Sequence, residues 1–255
     1  MLVINIGYNL MGDAAEKKVS FYKQNKMAYF VSSMLAGTYV GICMITILIV
    51  AGMFDNFVGV KLLQGFSFAA ALSLVVFAGA ELFTGNVFVM TAGVLWKTVK
   101  TKDALRLCAF CYFGNLAGSI LIAALFWGTG YLHGPVLAAA TAAIDAKTSP
   151  FFMELFVRGI LCNMLVCAAV WSVFRLKSES GKLIMIFWCI YLFIVAGFEH
   201  SIANMTLFGL GIIAGGSGIA SVGLMLTNLI SVTAGNIIGG ALLSLAYWAI
   251  GKKTV

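Results

Sequence analysis

The sequence predicts an all-α membrane protein: six transmembrane helices in two inverted three-helix repeats, with the second and fifth helices broken. Three observations carry this reading. The 255 residues are 62% hydrophobic and only 10% charged, against about 25% charged residues in an ordinary soluble domain. Apolar runs long enough to cross a bilayer, about 20 residues each, recur along the whole chain. They are continuous rather than alternating, which excludes an outer-membrane barrel. Finally, two of the runs carry the same polar phrase, 78-AGAELFTGN-86 and 196-AGFEHSIAN-204, both spelled A-G-x-E-x-x-x-x-N.

The chain reads as one domain, 1–255, opening with a segment, 1–27, that has no charged stretch before an apolar core and so is not a cleavable signal. Within it Ala15, Val19 and Tyr22 recur at helical spacing among lysines. That pattern suits a short interfacial helix or a movable cytoplasmic gate. Six apolar segments follow, at roughly 28–52, 63–95, 105–131, 153–174, 183–212 and 217–250. The second, fifth and sixth are longer than one straight crossing needs.

Charge orients the segments. Lys17, Lys18, Lys23 and Lys26 precede the first. Lys97, Lys100, Lys102 and Arg106 follow the second. Arg175, Lys177 and Lys182 follow the fourth, and Lys252 and Lys253 follow the last. Thirteen of the sixteen basic residues therefore share one side, leaving Lys61, Lys147 and Arg158 for the other. By the positive-inside rule both termini are cytoplasmic, in the inner (plasma) membrane. The formal charge of +7 is thus a matter of topology and gives no reason to expect nucleic acid. Cys43, Cys108, Cys111, Cys162, Cys167 and Cys189 all lie in apolar runs and read as buried thiols. No metal or redox site is expected, because other ligands are missing nearby.

The two polar phrases stand 118 residues apart. Gly41-Ile42 and Gly159-Ile160 echo each other at the same offset, and Gly114-Asn115-x-x-Gly118 matches Gly235-Asn236-x-x-Gly239 at 121. Segments 1–3 (about 28–131) thus resemble segments 4–6 (about 153–250). Three crossings per unit is an odd number, so the second unit enters from the opposite side. Inverted repeats of this kind mark transport folds, whose sites lie near the midplane on discontinuous helices. Polar, glycine-bearing backbone at that depth is tolerated only where it is buried in protein or lines a wet cavity.

The breaks are accordingly expected to meet around a pore. Gly79, Gly85 and Gly197 supply permissive backbone, and Asn86 and Asn204 can satisfy freed backbone groups. Each break also makes a half-helix N-terminus that favours anions. G-x-x-x-G spacings at Gly37–Gly41, Gly114–Gly118 and Gly235–Gly239 suit close helix packing within the chain or between subunits.

AELFTGN at 80–86, RGILCN at 158–163, EHSIANM at 199–205 and GNIIGG at 235–240 together resemble the formate/nitrite transporter family, whose members conduct small monovalent anions. The resemblance covers nearly the whole chain. It implies an aquaporin-like protomer, a homopentamer with one pore per protomer, and hydrosulfide, formate or nitrite as permeant. The short termini suit the hydrosulfide branch. No cofactor is implied.

Individual residues can then be read. His200 is the only histidine within an apolar segment, and it sits in the second break beside Glu199. It could hydrogen-bond an anion or hand it a proton, and the resemblance also places it in the pore. Thr84, in the first break, either caps the broken helix or, as in the family, faces the pore. Lys147 reads by itself as a solvated loop lysine; the resemblance puts it in the outer vestibule, attracting anions. Asn163 and Asn236 either line the pore or link helices. Glu81 and Glu199 are expected to accept hydrogen bonds from backbone N–H groups of the opposite break, with a proton relay as the competing role. Only the resemblance singles out Phe68, Leu72, Phe83, Val166 and Phe193 as constrictions around a central chamber that excludes hydrated ions.

Two rival readings are weaker. An aquaporin-like channel for water or neutral solutes would carry paired N-P-A motifs, but the chain has only Pro135 and Pro150 and no N-P-A. A membrane enzyme would need a nucleophile with its base, or a metal cluster, and no such spacing occurs.

Overall fold

The computed structural model of the chain describes residues 2–55, 57–215 and 220–252. Among these are eleven helices and no strand. Lys253 and the expected start of the last segment at 217–219 lie outside the described residues.

Helix α1 (Leu2–Gln24) runs almost directly into α2 (Lys26–Met53). Asn25 separates them by accepting the Ala28 N–H at 2.9 Å, a side-chain N-cap. Helices α3 (Val60–Phe68) and α4 (Ala70–Phe77) together form one apolar stretch of 18 residues. After α4 the chain turns at Gly79, whose φ is +76°, a value glycine adopts without strain. It stays non-helical until α5 (Phe83–Leu95) begins.

Helix α6 (Thr101–Gly128) is followed by α7 (Gly134–Thr148), which has a proline at its start, where a missing N–H costs nothing. Helix α8 (Phe152–Arg175) leads to α9 (Glu179–Val195), capped by the Ser178 hydroxyl on the Gly181 N–H. A second glycine turn, Gly197 at φ +71°, separates α9 from α10 (Ser201–Ala214), and α11 (Val222–Lys252) closes the chain.

Five stretches are long and apolar enough to cross a membrane: Lys26–Met53, Val60–Phe77, Thr101–Gly128, Phe152–Arg175 and Val222–Gly251. The expected fifth segment, 183–212, is divided into α9 and α10, each shorter than that. Two expectations need correction. Lys147 belongs to the last turn of helix α7 rather than to a loop. Gly85 lies inside α5 with ordinary helical backbone, so it takes no part in the turn; Gly79 and Gly197 make the turns.

Helices α6 and α11 each press a pair of glycines against a neighbour. Gly114 and Gly118 lie against the carbonyls of Phe30 and Met34 on α2; Gly235 and Gly239 lie against those of Phe156 and Ile160 on α8. Any side chain there would collide with backbone, so these spacings serve contacts within the chain. The outward faces keep large apolar groups such as Phe113, Leu125, Leu226 and Ile230 exposed, a surface suited to lipid or another subunit.

Candidate functional site

The two non-helical turns are held by the same set of bonds. At the first, the Asn115 side chain accepts the Phe83 N–H at 2.9 Å, satisfying a free donor at the start of α5. Its amide nitrogen donates to Ser33 O at 2.7 Å and Glu81 O at 2.9 Å. At the second, Asn236 accepts the Ser201 N–H at 2.9 Å and donates to Gly159 O at 2.8 Å and Glu199 O at 3.0 Å. Both asparagines are fully buried, where an unpaired backbone group is costly. These bonds pair Gly159 with Ser33. The sequence echo of Gly159 with Gly41 is therefore eight residues out of structural register; Gly41 instead packs near Ile122 and Thr206.

The acids are also disposed alike. Glu81 receives Lys18 from α1 on both oxygens at 2.6 and 2.7 Å, Asn86 at 2.9 Å and the Tyr29 hydroxyl at 3.1 Å. Glu199 receives Lys147 from α7 on both oxygens at 2.9 Å and Asn204 at 2.7 Å. Asn204 donates in turn to Asn228, which donates to Lys147 O at 2.7 Å. The expectation that these acids bind backbone N–H groups of the opposite break is thus overturned, because lysines reach them first. Asn86 and Asn204 likewise serve the carboxylates rather than freed backbone. A buried carboxylate needs its charge paired, and each acid meets a cation from a separate helix.

Between the two turns, Thr84 Oγ1 lies 3.1 Å from His200 Nε2. The bonding of the ring fixes which atom donates. His200 is the N-cap of α10, and its Nδ1 accepts the Ala203 N–H at 3.3 Å. Nδ1 therefore carries the lone pair, and in the neutral ring the proton sits on Nε2 and donates to Thr84. The Thr84 hydroxyl keeps its own proton, for which no acceptor occurs among the described residues. Asn163 holds this corner from α8, donating to Thr84 O at 3.3 Å and Asn236 O at 2.6 Å. Phe193 stacks on His200 with ring centres 5.9 Å apart, and Phe68 meets Phe193 edge-on at 5.9 Å.

Two cavities flank this arrangement. One, of about 270 Å3, is lined by Lys18, Glu81, Asn86, Gly85, Leu72 and neighbours. The other, of about 250 Å3, is lined by Lys147, Glu199, His200, Phe193, Asn204, Lys61, Arg158 and neighbours. Among the described residues none lines both, and Thr84, Phe68 and Val166 are buried and line neither.

Thus the fold gathers His200, Thr84, Asn163, Asn236, Phe68 and Phe193, and puts Lys147 and Leu72 in the flanking cavities. It does not bring Phe83 to them. That ring meets Tyr112 at 4.9 Å and faces a separate apolar cavity beside Thr91, Cys108 and Ile237. Sequence reasoning missed Lys18, Tyr29, Asn115 and Asn228. Only Asn115 left a readable signal, its place in the same G-N-x-x-G phrase as Asn236. No group of three metal-binding side chains occurs among the described residues.

An apolar, all-helical body with a polar pair at its centre and a charged cavity to either side is the build of a multi-pass membrane transporter. The family model described as "Formate/nitrite transporter" matches residues 7–249, and the chain belongs to that family. It is 39% identical over 231 residues to the nitrite transporter NirC of Escherichia coli (strain K12), covering 90% of this chain and 85% of that one. Against the formate channel FocA of the same organism it is 35% identical over 215 residues, 74% of each chain. A solved structure described as "FNT family ion channel" superposes with a TM-score of 0.90 at 35% identity, over 96% of this chain and 98% of that one. "Pentameric formate channel with formate bound" gives 0.76 at 32% identity, over 88% and 96%.

Proposed function

We propose that the chain forms a selective pore for small monovalent anions, nitrite or formate, with hydrosulfide as a permeant of similar size and charge. The observation that carries this reading is the Thr84–His200 bond at 3.1 Å, buried between two lysine-bearing cavities, of which His200 lines one. An anion entering a low-dielectric passage must replace its hydration. Here it meets donors that carry no net charge: the Thr84 hydroxyl and the His200 Nε2–H. The permeant takes their hydrogen bonds and is not trapped, as it would be against a fixed cation.

In this reading six spans form two inverted repeats, α2–α6 and α8–α11. The paired bonding of Asn115 and Asn236 supports the equivalence. Phe68, Phe193, Leu72 and Val166 narrow the path around the Thr84–His200 pair, and Asn163 and Asn236 set its shape. Five copies assemble, each with its own pore; the likeness to a formate channel that is itself pentameric supports that number. The α1 side faces the cytoplasm and the α7 side faces outward, in accord with the positive-inside distribution of lysines.

Purified protein in proteoliposomes tests the reading by flux of nitrite, formate, hydrosulfide and chloride across pH 5 to 8. Anion flux well above empty vesicles, with chloride slowest, is expected. Water or glycerol flux without anion flux would instead favour the aquaporin-like alternative.

A further inference from the structure

The linings of the two cavities carry the same lysine–glutamate pair but not the same charge. Among the described residues, Lys18 and Glu81 are the only charged ones lining the α1-side cavity, and they neutralise each other. The α7-side cavity is lined by Lys147 and Glu199, which also neutralise each other, and additionally by Lys61 and Arg158. Arg158 has Glu154 at 4.0 Å. Lys61 has no acidic partner among the described residues.

Lys61 is exposed and stands in the first turn of α3. Its ammonium hangs over the turn that leads to His200: a Cβ added to Gly197 would lie 3.9 Å from Lys61 Nζ. The end of α9, whose carbonyls attract cations, leads into the same turn. At the offset of 118 that relates Gly79 to Gly197 and Glu81 to Glu199, Lys61 corresponds to Glu179. Glu179 carries the opposite charge; it is bonded to Lys182 at 2.8 Å and does not line the α1-side cavity.

We propose that Lys61 makes the α7-side mouth an anion-collecting site, so that the pore draws its permeant from that side at a lower concentration than it would without this charge. The proposal rests on the pore reading above and adds to it a charge that the twin lysine–glutamate pairs alone would not give. An exposed, unpaired cation raises the local anion concentration without binding tightly, and salt screens it over a Debye length of about 8 Å at physiological ionic strength.

The experiment measures formate influx separately from each face in proteoliposomes whose protein orientation is fixed by impermeant labelling, at low and high salt. At low salt Lys61→Gln should raise the half-saturating formate concentration from the α7 side about two- to fivefold, which is what one unit charge several ångströms from an anion near water supplies, and should leave the α1-side value unchanged. Lys61→Arg should keep the parent's α7-side value, and high salt should bring parent and Lys61→Gln together. An α7-side value unchanged in Lys61→Gln, or an equal rise from the α1 side, would overturn the proposal while leaving the pore intact. A parent that passes no anion from either side would overturn the pore reading and this proposal together.

Discussion

Asn236 does for the turn before α10 what Asn115 does for the turn before α5, bond for bond. Each closes one N–H at a helix start and two carbonyls from separate segments. Replacing Asn236 by alanine strands the Ser201 N–H and the carbonyls of Gly159 and Glu199 in a buried setting. Each unsatisfied group costs about 1–3 kcal/mol. Asn236→Ala should lower the thermal transition in detergent by several degrees and cut anion flux. Unchanged stability would show that the turn is held by other contacts.

Lys147 and Glu199 form a part-buried pair, with Glu199 only 4% and Lys147 20% exposed in their side chains. Removing the lysine leaves Glu199 as an unpaired buried charge, a loss of up to about 3–5 kcal/mol. Lys147→Met should therefore destabilise more than the double variant Lys147→Met/Glu199→Gln. A double-mutant cycle on thermal stability reads this directly. Strict additivity of the two substitutions would mean that the pair contributes nothing through its bond.

His200 has two duties, capping α10 through Nδ1 and donating from Nε2. Asparagine can cap and donate, whereas phenylalanine can do neither. His200→Asn should fold normally and retain flux, with any part of the pH dependence that comes from the ring removed. His200→Phe should lose about 1 kcal/mol of helix capping and at least about tenfold in flux, the loss of one donor worth roughly 1.4 kcal/mol at the passage. Flux in His200→Phe equal to the parent at matched protein would remove the histidine from the path.

Phe193 packs between Phe68 and the His200 ring. Phe193→Ala should open space there and raise acetate flux relative to formate. A constant acetate-to-formate ratio would take Phe193 out of the size filter.

The helical body was legible because bilayer thickness translates directly into run length, and the polar phrases stood out because nothing else in an apolar run explains them. His200 was legible by its solitude. What the sequence hid is tertiary. Lys18 is one of several lysines of similar aspect in the basic tail, and only the docking of α1 selects it for Glu81. The partners of both acids were misjudged for the same reason, since a lysine 52 or 63 residues away in sequence leaves no local pattern. Phe83 was singled out by resemblance, yet its ring turns toward Tyr112. Tyr112 lies on α6, outside the motif, so the motif alone carries no sign of that contact.

The order of these partners along the chain bears on how the protein is made. Lys18 is translated before Glu81, and Lys147 before Glu199. When each acid emerges from the ribosome, the cation that neutralises it has already been synthesised as part of an earlier helix. The asparagines come last: Asn115 follows Glu81, and Asn236 follows Glu199. Each half can therefore bring its glutamate toward the bilayer as a matched pair, and it latches shut only when its final helix arrives. A nascent chain halted before residue 115 or before residue 236 would hold an open turn with unpaired backbone, the form that membrane quality control would meet.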